Sequence, residues 1–169
     1  DESPAAADAW RAQLDAFEQR LSALPADADS ITRAALGEAI ATDRAHLDAD
    51  VGSFNVDPMD GPQVHILNIP SYHSARTAAE ADALLARWRA MPAYLDQAAE
   101  SLRRGLADGR VGVAMLVRKV DEQIGEILAR PEDEWPLMRP AEAMPHLRDQ
   151  LLVIVRDAIR PASRQHAGT

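Results

Sequence analysis

Apolar residues return at helical intervals along most of this chain. Trp10, Leu14, Phe17, Leu21 and Leu24 are spaced 4, 3, 4 and 3 apart, which puts them on one stripe of a helix. That helix is expected over residues 5–24, with Ser3 and Pro4 as cap and first-turn residue and Pro25 as its stop. A polar connector from Pro25 to Ser30 follows. Ser30 then reads as the cap of a second helix over residues 31–50, with Leu36, Ile40, Leu47 and Val51 on its stripe and Asp43 at a solvated edge. A short link between consecutive helices makes antiparallel neighbours, so the two are read as a hairpin.

The third pattern starts at Thr77, where Glu80 three residues on completes a capping box. Its stripe is Ala81, Leu84, Leu85, Trp88, Met91, Leu95, Ala98 and Leu102, and it runs straight past Pro92. A proline inside a helix removes one backbone bond and crowds the preceding turn, so a kink or break is expected near Met91. A further helix is expected over residues 112–129, with Val113, Val117, Val120, Ile124, Ile127 and Leu128 inward and Pro131 as its end. The loop 131–140 carries three solvated acids, Glu132, Asp133 and Glu134, and Trp135 as its anchor. The last helix is read over residues 144–160, stopped or kinked by Pro161, with a polar, frayed tail from Ala162 to Thr169.

Between the second and third patterns lies Phe54 to Arg76, with Pro58, Pro62, Pro70 and Gly61. Asp57-Pro58 and Asp60-Gly61-Pro62 are turn chemistry. The fold class that follows is all-α: a helical bundle of about five to six helices with one long Pro/Gly-containing loop at residues 52–76. The whole of residues 1–169 is read as a single helical domain.

Composition narrows the function classes. Hydrophobic residues make up 47% and aromatic residues 4%, so the core is mainly aliphatic. The net charge of −9 argues against a nucleic-acid partner, because phosphate binding needs a basic surface. Residues 1–50 hold 11 acidic and 4 basic side chains, against 16 and 14 in residues 51–169. There is no cysteine, which excludes disulfides and thiolate zinc sites. No apolar run approaches the roughly 20 residues of a membrane span. The chain opens at Asp1 rather than Met, which fits removal of a leader; the compartment stays open between cytoplasm and export.

The sequence contains none of the common catalytic motifs. None of His46, His65, His73, His146 and His166 belongs to a His-Glu-x-x-His helix, and no serine elbow or phosphate-binding glycine loop occurs. With 27 acids in 169 residues, carboxylate pairs are inevitable and carry no weight. The residues chosen as a candidate cleft or loop surface are Asp60, Gly61, Gln63, His65 and Tyr72, with packing as the competing role for each.

Several stretches carry a family signature. They are Asp60-Gly61-Pro62-Gln63, Asn68-Ile69-Pro70-Ser71-Tyr72, Ala81-Asp82-Ala83, Arg87-Trp88-Arg89-Ala90-Met91-Pro92-Ala93-Tyr94-Leu95-Asp96 and Leu102-Arg103-Arg104-Gly105-Leu106-Ala107-Asp108-Gly109-Arg110. Together they resemble the bacterial family of domain of unknown function 885, most specifically over residues 60–110. The resemblance implies a helical, zinc-dependent peptidase-like architecture. Its full-length members are longer and carry a His-Glu-x-x-His helix downstream, so no catalytic or metal residue transfers to this chain. Zinc and a peptide substrate are therefore expected only in full-length relatives, and no cofactor in this chain. Residues 163–169 read as a truncated end. The expected function is an N-terminal helical portion of a peptidase-like protein, inactive alone. The alternative is a standalone helical interaction module or homo-oligomer, with the missing catalytic region as another partner.

Overall fold

The computed structural model describes residues 3–25, 29–73 and 75–167. Residues 26–28 of the expected connector and the last two of the expected tail lie outside the described residues. The described residues form helices joined by turns and contain no strand. The chain divides into two compact units, Asp1–Gly52 and Ser53–Thr169.

The first unit is a pair of helices, α1 (Pro4–Ser22) and α2 (Ser30–Ala49). The Ser3 hydroxyl accepts from the Ala6 N–H at 3.2 Å, as a cap should. The cap of α2 is Asp29, not Ser30. Its Oδ1 accepts from the Ile31 N–H at 3.0 Å and its Oδ2 from the Thr32 hydroxyl at 2.6 Å. The Thr32 hydroxyl first, and then the backbone bonds, hold the Asp29 carboxyl below its ordinary range. A carboxylate competes well for this position because the first amides of a helix are both unpaired and electropositive. At the other end Asp50 takes a left-handed conformation, φ 46°.

Partners across the pair run in opposite senses. Arg11 meets the Leu47 carbonyl, Arg44 meets Asp15 and Glu18, and Arg33 meets the Leu24 carbonyl. The two helices are thus an antiparallel hairpin, as the short connector predicts. Its apolar stripe is barely enclosed. Leu14 is the buried residue of α1 and α2 has none, while Trp10, Phe17, Leu24 and Leu36 are 37%, 40%, 42% and 49% exposed.

The second unit is organised on α4 (Ala78–Ala107), a single helix of 30 residues. At 1.5 Å per residue it is about 45 Å long. Both halves of the expected capping box form: Thr77 Oγ1 accepts from the Glu80 N–H, and the Glu80 carboxylate accepts from the Thr77 N–H. The helix does not divide near Met91; Pro92 lies within it. The proline lacks the N–H that would bond the Trp88 carbonyl, a loss of about 3 kcal/mol in an isolated helix. Packing offsets it, because Trp88, Met91 and Leu95 flank the proline and are all but fully enclosed. Burying such side chains contributes about 1.5–3 kcal/mol each.

Residues 52–76 are not one loop. Pro62 to Tyr72 form α3, with Pro62 in the first turn and Pro70 inside the helix. The apolar residues Val64, Ile66 and Ile69 give no clear helical period, which is why the stretch reads as a loop. Ile66 is nearly fully buried, and Leu67 and Ile69 pack against the same core.

After α4 come α5 (Ala114–Leu128), the short α6 (Pro140–Ala143), α7 (Arg148–Ile154) and α8 (Arg160–Ala167); α7 and α8 pack on α4, and α5 packs on α8. Trp135 and Leu137 plug the core from the turns before α6, and Trp88 donates its indole N–H to the Leu137 carbonyl at 3.1 Å. Two of the three acids in this loop are paired rather than only solvated. Glu132 bonds Arg160 at 2.6 Å, and Asp133 meets Arg148 at 3.4 Å. Arg160 also donates to the Leu128 carbonyl at 2.8 Å, satisfying the open end of α5.

The expected stop at Pro161 is likewise absent. Residues Val155–Ile159 widen into a π-helical turn directly before it. Such a turn relieves the clash and the missing bond that proline brings. The chain then continues as α8, where Ala162, Ser163 and His166 are buried against α4 and α5. The tail expected to fray is helical up to Ala167 and buries one face, Ala162, Ser163 and His166.

Candidate functional site

Four of the five residues chosen from the sequence meet at one corner of the second unit. The corner is built by Asp57. Its Oδ1 accepts from the Met59 N–H at 2.7 Å and the Asp60 N–H at 3.2 Å, folding the backbone into a tight turn. Gly61 follows as the cap of α3. A Cβ there would stand 2.4 Å from Gln63 Oε1 and 2.5 Å from the Asp57 carbonyl, so the position has no room for a side chain.

Gln63 is buried, and its amide is a clasp. Nε2 donates to the Asp57 carbonyl at 2.9 Å and to Gln123 Oε1 at 3.3 Å. Gln123 in turn donates to the Pro58 carbonyl at 2.9 Å. Two side-chain amides thereby tie the turn to α5. A buried amide such as that of Gln63 is costly unless paired, so the clasp specifies one arrangement of turn and helix.

His65 points outward on the first turn of α3. Its Nε2 lies 2.7 Å from Asp60 Oδ1 and its Nδ1 3.4 Å from the Tyr94 hydroxyl of α4. This Asp-His-Tyr row orients the imidazole and gives it a hydroxyl neighbour. It is open to solvent, with the His65 and Asp60 side chains 47% and 81% exposed. A contact so exposed contributes little, about 0–1 kcal/mol. Tyr72 does not join the corner. It sits at the far end of α3 and is 79% exposed. Among the described residues no group of three or more His, Asp or Glu is placed to hold a metal ion.

Sequence reasoning missed Gln123 and Tyr94 as partners of this corner. Gln123 left a faint signal, a lone amide beside the buried stripe Val120, Ile124 and Ile127 of α5. Tyr94 left none, because its partner comes from 29 residues earlier in the chain.

A second feature belongs to the first unit alone. Trp10, Phe17, Leu21 and Leu24 of α1 and its end, with Leu36 and Ile40 of α2, line an apolar groove of about 730 Å³. Trp10 and Phe17 meet edge to face, ring centroids 6.2 Å apart, and the Arg20 guanidinium lies 5.9 Å from the centre of the Phe17 ring. Asp43 is also on the wall.

No helix among the described residues is long and apolar enough to cross a membrane. Comparison with known families matches residues 1–169 to the family described as bacterial protein of unknown function, DUF885, and the chain belongs to that family. The match includes residues 163–169, which the sequence reading had set apart. No curated protein and no solved structure matches the chain.

Proposed function

Starting from membership in the DUF885 family, we propose that this chain is the helical, non-catalytic portion of a peptidase-like protein, and that it works by docking. The peptidase-like part of the reading rests on the family resemblance. The docking part rests on one observation: the α1–α2 hairpin carries a continuous apolar stripe that lines a groove instead of a core. Two helices form a single layer, and an apolar stripe on such a layer is stable when a further element covers it.

The occupant that fits is an amphipathic helix with large aliphatic residues on one face and Lys or Arg at its flanks. The groove asks for the apolar face. The charge of residues 1–50, 11 acids against 4 bases, asks for the basic flanks. The same charge disfavours a second copy of the hairpin as the occupant. In a peptidase-like parent, such a helix would come from the catalytic region.

The test is a titration of the full chain with a synthetic Leu/Lys amphipathic helical peptide and with a Leu/Glu version of it. Trp10 emission is expected to shift to the blue and saturate with the Lys peptide. The Glu peptide should bind at least about tenfold more weakly, the effect of one or two charge reversals. Phe17→Asp should abolish the shift. Equal binding of both peptides, or no saturable shift, would overturn the docking. A discrete dimer by light scattering would instead favour the homo-oligomer. Metal-dependent peptide hydrolysis by the purified chain would overturn the non-catalytic part.

A further inference from the structure

Among the described residues, two buried side-chain atoms of the second unit have no hydrogen-bond partner: Trp135 Nε1 and His166 Nδ1. Trp135 is 1% exposed and His166 7%. Leaving such a group unpaired costs about 1–3 kcal/mol, so each orphan asks for an explanation. Both residues line the same small cavity, of about 10 Å³, between α3, α4, α5 and α8. The remaining walls are mostly apolar, Ile66, Leu95, Ile124 and Ile127 among them, with Gln63 and Ser163 as further polar residues.

We propose that this cavity is a binding site for one structural water, which accepts from the Trp135 indole N–H and donates to His166 Nδ1. The volume is that of about one water-sized probe, which excludes a larger ligand. The chemistry is complementary, since an indole nitrogen only donates and a neutral imidazole offers one acceptor. Burial, and secondarily the charge of Arg103, favours the neutral imidazole. Of the other polar walls, the Ser163 hydroxyl already donates to the Ile159 carbonyl at 2.9 Å. Gln63 has its Nε2 engaged in the clasp with Asp57 and Gln123. The two orphaned groups are then the water's partners, the lower end of the two to four that buried waters have. The site is continuous with the clasp through Gln63, so the water joins α8 and the Trp135 turn to the corner that holds Asp60 and His65. The bond to water also fixes the tautomer, with the imidazole proton on Nε2.

The molecule contains its own control. Trp88 is equally buried, but its indole N–H is bonded to the Leu137 carbonyl. In nuclear magnetic resonance of the full chain, the Trp135 indole proton should show a cross-peak to a long-lived water, and the Trp88 indole proton should show none. The nitrogen shifts of His166 should report an unprotonated Nδ1. His166→Asn, whose side chain can still accept at that place, should keep the water signal, and His166→Leu should lose it. Absence of the Trp135 cross-peak in the unmodified chain, or a proton on His166 Nδ1 at neutral pH, would overturn the proposal whether or not the variants fold. A high-resolution crystal structure with an empty cavity would overturn it as well.

Discussion

The hairpin of residues 4–49 and the long helix of residues 78–107 carry apolar stripes of equal regularity, yet they meet opposite fates. In α4 the stripe is enclosed: Ala81, Leu84, Leu85, Trp88, Met91 and Leu95 are all buried. In the hairpin only Leu14 of the first stripe is buried, and Trp10, Phe17 and Leu24 stand 37–42% exposed. The difference lies in what each stripe finds. α4 is met by α3, α7, the π turn and α8, whereas α1 pairs with α2 alone inside its unit. A regular stripe therefore marks a helix and a face, but not a core; enclosure needs covering elements on more than one side.

The widest test of this contrast compares the two tryptophans. Trp88→Ala should destabilise the second unit by about 3–5 kcal/mol, since it empties a core position and strands the Leu137 carbonyl. Trp10→Ala should cost about 1 kcal/mol or less, because a half-exposed side chain has less to lose. Denaturant unfolding of both variants checks the ratio. Similar losses would mean that the hairpin stripe is covered in solution.

The glycines sharpen the comparison, because the expected effects have opposite signs. A Cβ on Gly105 would stand 1.7 Å from the Ser53 carbonyl oxygen, a backbone atom that cannot step aside. Gly105→Ala should cost about 3 kcal/mol, at the upper end of overpacking. A Cβ on Gly37 would stand 3.8 Å from Leu21 Cδ2, an ordinary contact, in the interior of α2. Gly37→Ala should stabilise the hairpin by about 0.5–1 kcal/mol through helix propensity. Thermal melts of the two variants should shift in opposite directions.

The smallest expected effect is a dependence on pH confined to the second unit. Burial first, and Arg103 second, lower the His166 pKa below its ordinary 6.5. The unfolded chain then takes up a proton at that residue before the folded one does. Stability is full above about pH 6.5 and falls as the solution is acidified from there toward the lower folded value. Melts at pH 7.5 and 5.5 should show the loss, and His166→Gln should flatten it. A loss that persists unchanged in that variant would point to other groups.

Much of this was legible locally. The capping box at Thr77 and Glu80 involves residues three apart, and it formed as read. The turn after α4 is similar. Gly109 adopts φ +77°, the Gly109 N–H bonds the Leu106 carbonyl, and the Arg110 N–H bonds the Gly105 carbonyl at 2.8 Å. That is the pattern by which a glycine closes a helix. The prolines misled. Pro70, Pro92 and Pro161 all lie within helices: packing offsets the lost bond at Pro92, and the π turn accommodates Pro161. At the candidate corner, turn chemistry pointed to Asp60 and Gly61, but the clasp could not be foreseen. Gln63 and Gln123 are 60 residues apart, and nothing local marks them as partners.

The amino-acid sequence by itself determined the helical fold class, the faces of most helices, the caps at Ser3 and Thr77, and the family. These depend on interactions within a few residues and on patterns that repeat along one element. Only the tertiary structure decided that one stripe is core and another a groove, that α8 buries one face, and that Trp135 and His166 line one cavity. Burial and pairing of that kind depend on residues brought together from distant parts of the chain, and periodicity along one helix carries no record of what will stand opposite it.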